Sequence, residues 1–313
     1  MTLAIPSERA LSSLVLGTRG SHLALAQAHW VESRLASGLP PIRADIRIVK
    51  TTGDRALSAS LASGESVGWF VREIEDELLV RRIDLAVHSL KDLPLAQPDG
   101  LILAAIPARE DARDVLVTRD GRSLPDLEPG ARIGTGSPRR IGQLLALRPD
   151  LRFEAIRGNV DTRLRKLSEG RVDALVLALA GLNRLGVRKT GAAPLPFETM
   201  LPAPGQGALA LEIRASDRQL GALLRQRLDH AESAAAVRAE RAFLQSLGGG
   251  CQMPVGALAR VFGDALEVEG VVASPDGARI LRDAVRGALS SPEEAGEALG
   301  RRMLDQGAGA LLS

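Results

Sequence analysis

Two side chains in this sequence stand where chemistry could be done, Asp92 and Cys251. Asp92 lies in VHSLKDLP (87–94), just past an apolar strand at Asp84–His88. Open α/β sheets place their ligands at such strand ends. Beside Lys91 its carboxylate stays ionised and can stabilise a cation in a cleft; the plain alternative is a turn aspartate before Leu-Pro. Cys251 is the one cysteine of 313 residues and follows Gly248-Gly249-Gly250. A lone cysteine is often a small buried hydrophobe. Three glycines on a loop, however, let a bulky group approach the sulfur closely, a setting that suits a reactive or modified thiol.

The third chemical signal is arginine. Lysine occurs only at Lys50, Lys91, Lys166 and Lys189, so 36 of the 40 basic residues are arginine. Genome composition accounts for part of that bias. The sharper reading is that some arginines form bidentate forks for carboxylates, which lysine does poorly. They recur beside glycine turns at strand ends and helix starts: Arg19, Arg139, Arg140, Arg157, Arg163 and Arg184. A solvated basic face is the alternative for any one of them.

Other chemistries find no support. There is no phosphate-binding P-loop, no dinucleotide fingerprint and no H-E-x-x-H. The histidines (His22, His29, His88, His230) show no metal-ligand spacing, so no metal is expected. A net charge of +2 with 38 acidic residues, and only 2% aromatics, argue against nucleic acid. No stretch approaches the roughly 20 apolar residues of a membrane span, so no membrane partner is expected. The start, MTLAIPSERALSS, lacks the basic opening and apolar run of a signal peptide. A cytoplasmic protein is expected.

The elements that position these residues follow from periodicity. Leu14–Gly17 reads as a strand, Ser21–Ser37 as a helix capped by Ser21, Ile46–Thr51 as a strand, and Phe70–Arg81 as a helix before Asp84–His88. The grammar restarts with strands at Val115–Thr118 and Arg132–Gly134 and a helix at Ser137–Leu147 opened by Pro138. A strand at Arg152–Ile156, a helix at Val160–Ser168 and a strand at Val172–Ala178 follow. LGTRGSHLALAQ (16–27) echoes IGTGSPRRIGQ (133–143), and RRIDLAVHSL (81–90) echoes GRVDALVLAL (170–179). Two similar, mostly parallel, doubly covered α/β domains facing each other make a clamshell. Both Gly-Thr turns leave free N–H groups at a helix start, which favours an anionic ligand. From His230 onward a helix (Ala231–Leu247), three strands (Val255–Phe262, Leu266–Val272, Ala278–Arg286) and a last helix (Pro292–Gln306) form a small α+β domain.

VHSLKDLP, GTGSPRR, IRGNVDTRLRKL (156–167), LALAGLNRLG (177–186), LPAPGQGALALE (201–212) and GGGCQMPVGA (248–257) together resemble the signatures of the hydroxymethylbilane synthase (porphobilinogen deaminase) family, in the family's order. LGTRGSHLALAQA (16–28) and KTTGD (50–54) resemble its opening blocks. The resemblance implies a periplasmic-binding-protein-like clamshell, with domains at 1–108 (205–228 returning), 109–204 and 229–313. It implies a monomeric transferase of tetrapyrrole (heme) biosynthesis that joins four porphobilinogens head to tail, loses ammonia at each addition and releases hydroxymethylbilane. It further implies a dipyrromethane cofactor on a thioether at Cys251 and a catalytic carboxylate at Asp92. Lys91, Ser137, Arg139, Arg140, Arg163 and Arg184 would hold the cofactor, and Arg19, Ser21, Arg157, Arg163 and Arg184 the substrate.

The chemistry fits those residue types. Loss of ammonia leaves a cationic azafulvene, which a nearby carboxylate stabilises, and each added pyrrole brings two more carboxylates for the arginines to hold. The sequence departs from the family at Val67-Gly68-Trp69-Phe70, where many members carry Gly-Lys-Gly-Leu-Phe, and less so at Pro138 and His22. With the Ser-, Ala- and Gly-rich Ser58–Gly64 before it, Val67–Phe70 is expected to act as a mobile cover. Two rival readings are an anion-binding clamshell without catalysis, which leaves Cys251 unexplained, and a nucleic-acid-binding regulator.

Overall fold

A computed structural model describes residues 12–52, 71–187, 191–250 and 253–312. Its first sheet holds β1 (Ser13–Thr18), β2 (Arg43–Ile48), β3 (Leu85–Ser89), β4 (Leu101–Ala105) and the returning β10 (Leu209–Arg214), in the order β2-β1-β3-β10-β4. Helix α1 (His22–Ala36) turns Ala24, Ala28, Val31 and Leu35 inward, the stripe of a helix packed on one face. Ser21 caps it, accepting from Ala24 N at 3.3 Å. Helix α2 (Arg72–Leu79) covers the other face through Ile74 and Leu78.

The second sheet repeats the plan with β5 (Asp114–Thr118), β6 (Arg132–Gly134), β7 (Arg152–Glu154), β8 (Ala174–Ala178) and β9 (Ala192–Pro194), in the order β7-β6-β8-β5-β9. Helices α3 (Pro138–Leu147), α4 (Val160–Ser168) and α5 (Leu179–Arg184) belong to it. The echo seen in the sequence is a structural equivalence. β1 and β6 hold the second position in their sheets, β3 and β8 the third. Even the aspartate of the paired motifs repeats its task. Asp84 accepts from Val15 N on β1 at 2.8 Å, and Asp173 accepts from Arg132 N on β6 at 2.8 Å.

Each sheet is mixed. β10 runs antiparallel to both β3 and β4, and β5 antiparallel to both β8 and β9. Both reversed strands occupy the fourth position, and each is the strand by which the chain enters from the other domain. The chain therefore crosses twice between sheets, at 106–113 and 195–208, and these two segments form the hinge of the clamshell. Periodicity could not mark β4 or β10 as members of a sheet built 100 residues away. It also placed the second strand late, because β2 opens with Arg43-Ala44-Asp45 on a sheet edge, where polar residues stay solvated.

After α6 (Arg218–Leu228), the third domain carries α7 (Ala231–Ser246), the antiparallel β11 (Val255–Phe262), β12 (Ala265–Ala273) and β13 (Ile280–Ala288), and α8 (Pro292–Asp305) and α9 (Gly309–Leu312). Phe243 is wholly buried in its core with Leu266, Val268 and Leu299. One carboxylate ties this domain to the hinge. Glu240 on α7, itself fully buried, takes both Arg109 Nη1 (2.6 Å) and Nη2 (3.0 Å), Gly205 N (2.7 Å) and Ala259 N (2.8 Å). Arg109 and Gly205 belong to the two crossovers, so one side chain clamps both.

Removing that carboxylate strands a buried guanidinium and two buried N–H groups. Glu240→Ala should therefore lower unfolding free energy by about 3–5 kcal/mol, read as a fall in the urea midpoint. A wild-type midpoint would show that the clamp carries no stability.

Candidate active site

The site begins where β3 ends. The apolar strand Leu85–Ser89 stops in a single 3-10 turn, Leu90–Asp92. That turn advances about 120° per residue, so neighbouring side chains leave it in different directions. Lys91 lines a cavity of about 280 Å³ with Ser137, Arg139, Arg241, Gly249 and Gly250. Asp92, exposed, lines a smaller recess of about 70 Å³ with Arg19, Ser21, Gln27, His88 and Ser89. The larger cavity is walled by all three domains and by the hinge residues Ala203 and Pro204. The loop beyond Asp92 is pinned to the third domain, because Arg241 on α7 donates to the carbonyls of Pro94 (2.6 Å) and Leu95 (2.9 Å).

Cys251 lies outside the described residues, but both ends of its loop are placed. Gly250 and Met253 line the 280 Å³ cavity. Gly248 (φ 97°) and Gly249 (φ 63°) adopt left-handed backbone, and a Cβ on Gly249 would come within 2.7 Å of Leu95 Cδ1. Glycine at 249 is thus required by its backbone conformation and by the close approach of Leu95. The segment Val67–Phe70, expected to cover the cleft, also lies outside the described residues.

Buried charge dominates the wall opposite. Asp114, the first residue of β5, is wholly inaccessible. It accepts from Arg139 Nη1 at 2.6 Å, from Arg140 Nη2 at 2.7 Å and Nε at 3.1 Å, and from Gln206 Nε2 at 3.0 Å. Arg139 also donates to Leu201 O (2.7 Å), and Arg140 to Val176 O (2.9 Å). Burial alone would raise the Asp114 pKa, but the two guanidiniums outweigh it and hold the carboxyl well below the usual range. Lys91, half-buried nearby, is pushed down to about 8 by burial, with Asp92 opposing and Arg140 assisting. Three cations thus gather round one buried carboxylate, and Arg139 Nε is buried with no partner among the described residues. A surplus of buried positive charge with an unfilled donor is a receptor for carboxylates.

The remaining arginines spread around this centre. Arg163 on α4 donates its Nε to Gly158 O at 2.9 Å; burial depresses its pKa, with Arg140 adding to the shift and Asp92 opposing it. Arg184 donates to Gly207 O of the hinge at 2.7 Å, and burial pushes it down to about 10 against the pull of Glu110. Arg157 is exposed. Ser137 differs from its counterpart Ser21, since its hydroxyl makes no cap bond and the α3 start is left to Pro138. Across the mouth, His22 Nδ1 meets Asp161 Oδ2 at 2.7 Å, joining the starts of α1 and α4.

Three features were not assigned roles from sequence. Asp114 and Gln206 give no periodic or motif signal of burial; only the crossing of the two hinge segments brings them together. His88 pairs at 3.1 Å with Glu212, which is fully buried, and Glu75 beside them is raised to about 7, chiefly by burial and then by Glu212. Among the described residues no cluster of metal ligands occurs, and no helix is long and apolar enough to cross a membrane.

Comparison with known proteins covers nearly the whole chain. Residues 14–222 match the family described as "Porphobilinogen deaminase, dipyromethane cofactor binding domain", and 234–305 match "Porphobilinogen deaminase, C-terminal domain". The chain is 50% identical over 300 residues to porphobilinogen deaminase of Desulforudis audaxviator, covering 96% of this chain and 97% of the relative. It is 50% identical over 301 residues to that of Thermus thermophilus, covering 96% and 98%. It is 47% identical over 302 residues to that of Syntrophomonas wolfei, again covering 96% and 98%.

The depressed Lys91 makes a pH prediction whose sign can be worked out. Its folded value of about 8 lies below the ordinary 10.5, so between those values the unfolded chain binds more protons than the folded one. Stability contributed by this group therefore rises with pH across that window, being penalised below 8 and relieved above 10.5. Lys91→Met should remove that rise in cofactor-free protein. Denaturation midpoints at pH 7, 9 and 10.5 that change in parallel for both proteins would show that the ammonium is not buried.

Proposed function

The chain belongs to the porphobilinogen deaminase family, and on that premise we propose that it joins four porphobilinogens head to tail on a dipyrromethane held by Cys251, with Asp92 as the catalytic carboxylate and hydroxymethylbilane as product. The observation that carries this reading is the 3-10 turn at the end of β3, which presents Lys91 to the glycine-loop cavity and Asp92 to the recess that Arg19 and Ser21 line. Holding and reacting groups then sit one residue apart.

The residues fit the cofactor by their chemistry. Arg139, with its buried unpartnered Nε, stands with Lys91 and Ser137 around the cavity that Gly250 borders, and Arg140 adds charge behind them. These, with Arg163 and Arg184, would hold the cofactor's acetate and propionate groups through charge-assisted bonds. When bound, the dipyrromethane supplies the nucleophilic free α-carbon to which pyrroles are added. Arg19 and Ser21 flank Asp92 in the smaller recess, and with Arg157, Arg163 and Arg184 they would seat the incoming porphobilinogen. As ammonia leaves the substrate, positive charge grows on its pyrrole. The Asp92 carboxylate stabilises that charge and takes part in moving the pyrrole proton.

Domain limits at 1–108 with 205–228, 109–204 and 229–313 agree with the return of β10 to the first sheet and the start of α7 at Ala231. Location in the cytoplasm suits an anchoring thioether, which a reducing compartment does not cleave. A monomer suffices, since one chain supplies every side chain invoked.

Two outcomes test this reading. Asp92→Asn should reduce turnover by about 10²-fold or more, the range for groups that act on developing charge, while substrate capture and circular dichroism stay near wild type. Near-normal turnover would remove Asp92 from the mechanism. The intact holo-protein should be heavier than its sequence by two pyrrole units, the excess surviving thiol and denaturant and mapping to Gly250-Cys251-Gln252. Its presence in Cys251→Ser, or its absence from a preparation that turns over porphobilinogen, would defeat the assignment.

A further inference from the structure

Gln206 lies in the second hinge crossover and is completely buried. Its Nε2 donates to Ala112 O at 2.8 Å and to Asp114 Oδ1 at 3.0 Å, both at the entrance to β5. Its Oε1 accepts from Lys91 Nζ, on the turn that ends β3, at 3.4 Å. The amide cannot be turned round. A flip would set its N–H groups against an ammonium, and its oxygen against a carboxylate and a carbonyl. The backbone of Gln206 is equally constrained, since its N–H donates to Ala203 O (2.9 Å) and its carbonyl accepts Arg109 Nε (2.8 Å). The acceptor offered to Lys91 is therefore fixed in place by the second domain, while Lys91 itself rides on the first.

Lys91 needs such an acceptor. The charged groups that face it are Asp92 on its own turn, Arg139 and Arg140 from α3, and Asp114 from β5. The arginines repel it toward Asp92 and solvent; the Gln206 carbonyl draws it back to the hinge. The turn is only three residues long, Leu90–Asp92, so Lys91 and Asp92 share its backbone.

We propose that Gln206 is a positioning residue for the Lys91–Asp92 turn: its carbonyl holds the Lys91 ammonium against the hinge and so fixes the direction in which Asp92 faces. The proposal rests on the reading of Asp92 as the reacting carboxylate. It makes the contact between Gln206 and Lys91 a bond from the second hinge crossover to the turn that ends β3.

The test reads Lys91 directly. With only four lysines in the chain, competitive acylation with acetic anhydride at graded pH, resolved by peptide mass spectrometry, reports the titration of each. In Gln206→Leu the carbonyl that favours the charged form is gone, so Lys91 should titrate lower than in wild type. In Gln206→Glu an oxygen is restored with added negative charge, and Lys91 should titrate at or above its wild-type position. Loss of one bond to a charged group should cost about tenfold in kcat in Gln206→Leu, with KM within about twofold because the arginines are untouched. Gln206→Glu should restore the Lys91 titration without restoring kcat, because its second oxygen is set against Asp114 Oδ1 and Ala112 O.

An unchanged Lys91 titration in folded Gln206→Leu overturns the proposal, as does a change confined to KM. If neither variant folds, wild type decides, since a Lys91 acylated as fast as a free amine at every pH is not held in this contact. Intact turnover in Asp92→Asn would sink the catalytic reading while leaving the labelling result standing, so the two failures are distinguishable.

Discussion

The structure around the cleft depends on a single buried carboxylate. Asp114 stands at the first residue of β5, where the chain enters the second sheet, and it is the common acceptor for Arg139, Arg140 and Gln206. Without it, two guanidiniums would be desolvated with no counter-charge, which costs several kcal/mol per ion. With it, they remain buried and charged, yet one carboxylate does not neutralise them and Lys91 together. The site is thus built with an electrostatic deficit that anionic side groups can fill. In the proposed reading, that deficit is what selects a polyanion.

The hinge converts this local arrangement into a relation between domains. Arg109 from one crossover and Gly205 from the other both end on Glu240, so the third domain holds the two hinge strands in register. The Gln206 side chain points from the same place toward Lys91 and Asp114. Substituents on domains one, two and three meet within a few side chains of each other, and the cavity beside the glycine loop lies at that meeting. A lone clamshell could bind an anion with the first two domains. The third adds a loop whose glycines line that cavity, where the proposed reading places the covalent group.

The short turn after β3 does the remaining work. Its tight pitch sends Lys91 and Asp92 into separate recesses, so the two charges are kept apart although adjacent in sequence. Arg241 and the hinge fix the turn from either side, which leaves Asp92 exposed to ligand but not free to wander.

Much of this was legible in the sequence, and the divide has a physical cause. Local patterning determined most strands and helices of both α/β domains, β4, β9, β10, α5 and α6 excepted, because apolar spacing and caps such as Ser21 act within one turn or strand. The twofold echo determined that the domains are alike, down to Asp84 and Asp173 in the same role. The motifs around Asp92, Cys251 and the arginines determined the family. Tertiary structure alone decided which strands are reversed, since β10 pairs with β3 across more than a hundred residues and pairing partners leave no mark on local periodicity. It also decided which arginines are buried against Asp114 and which face the cleft. A guanidinium in a sequence carries the same charge either way; only folding sets its distance from a carboxylate and from water.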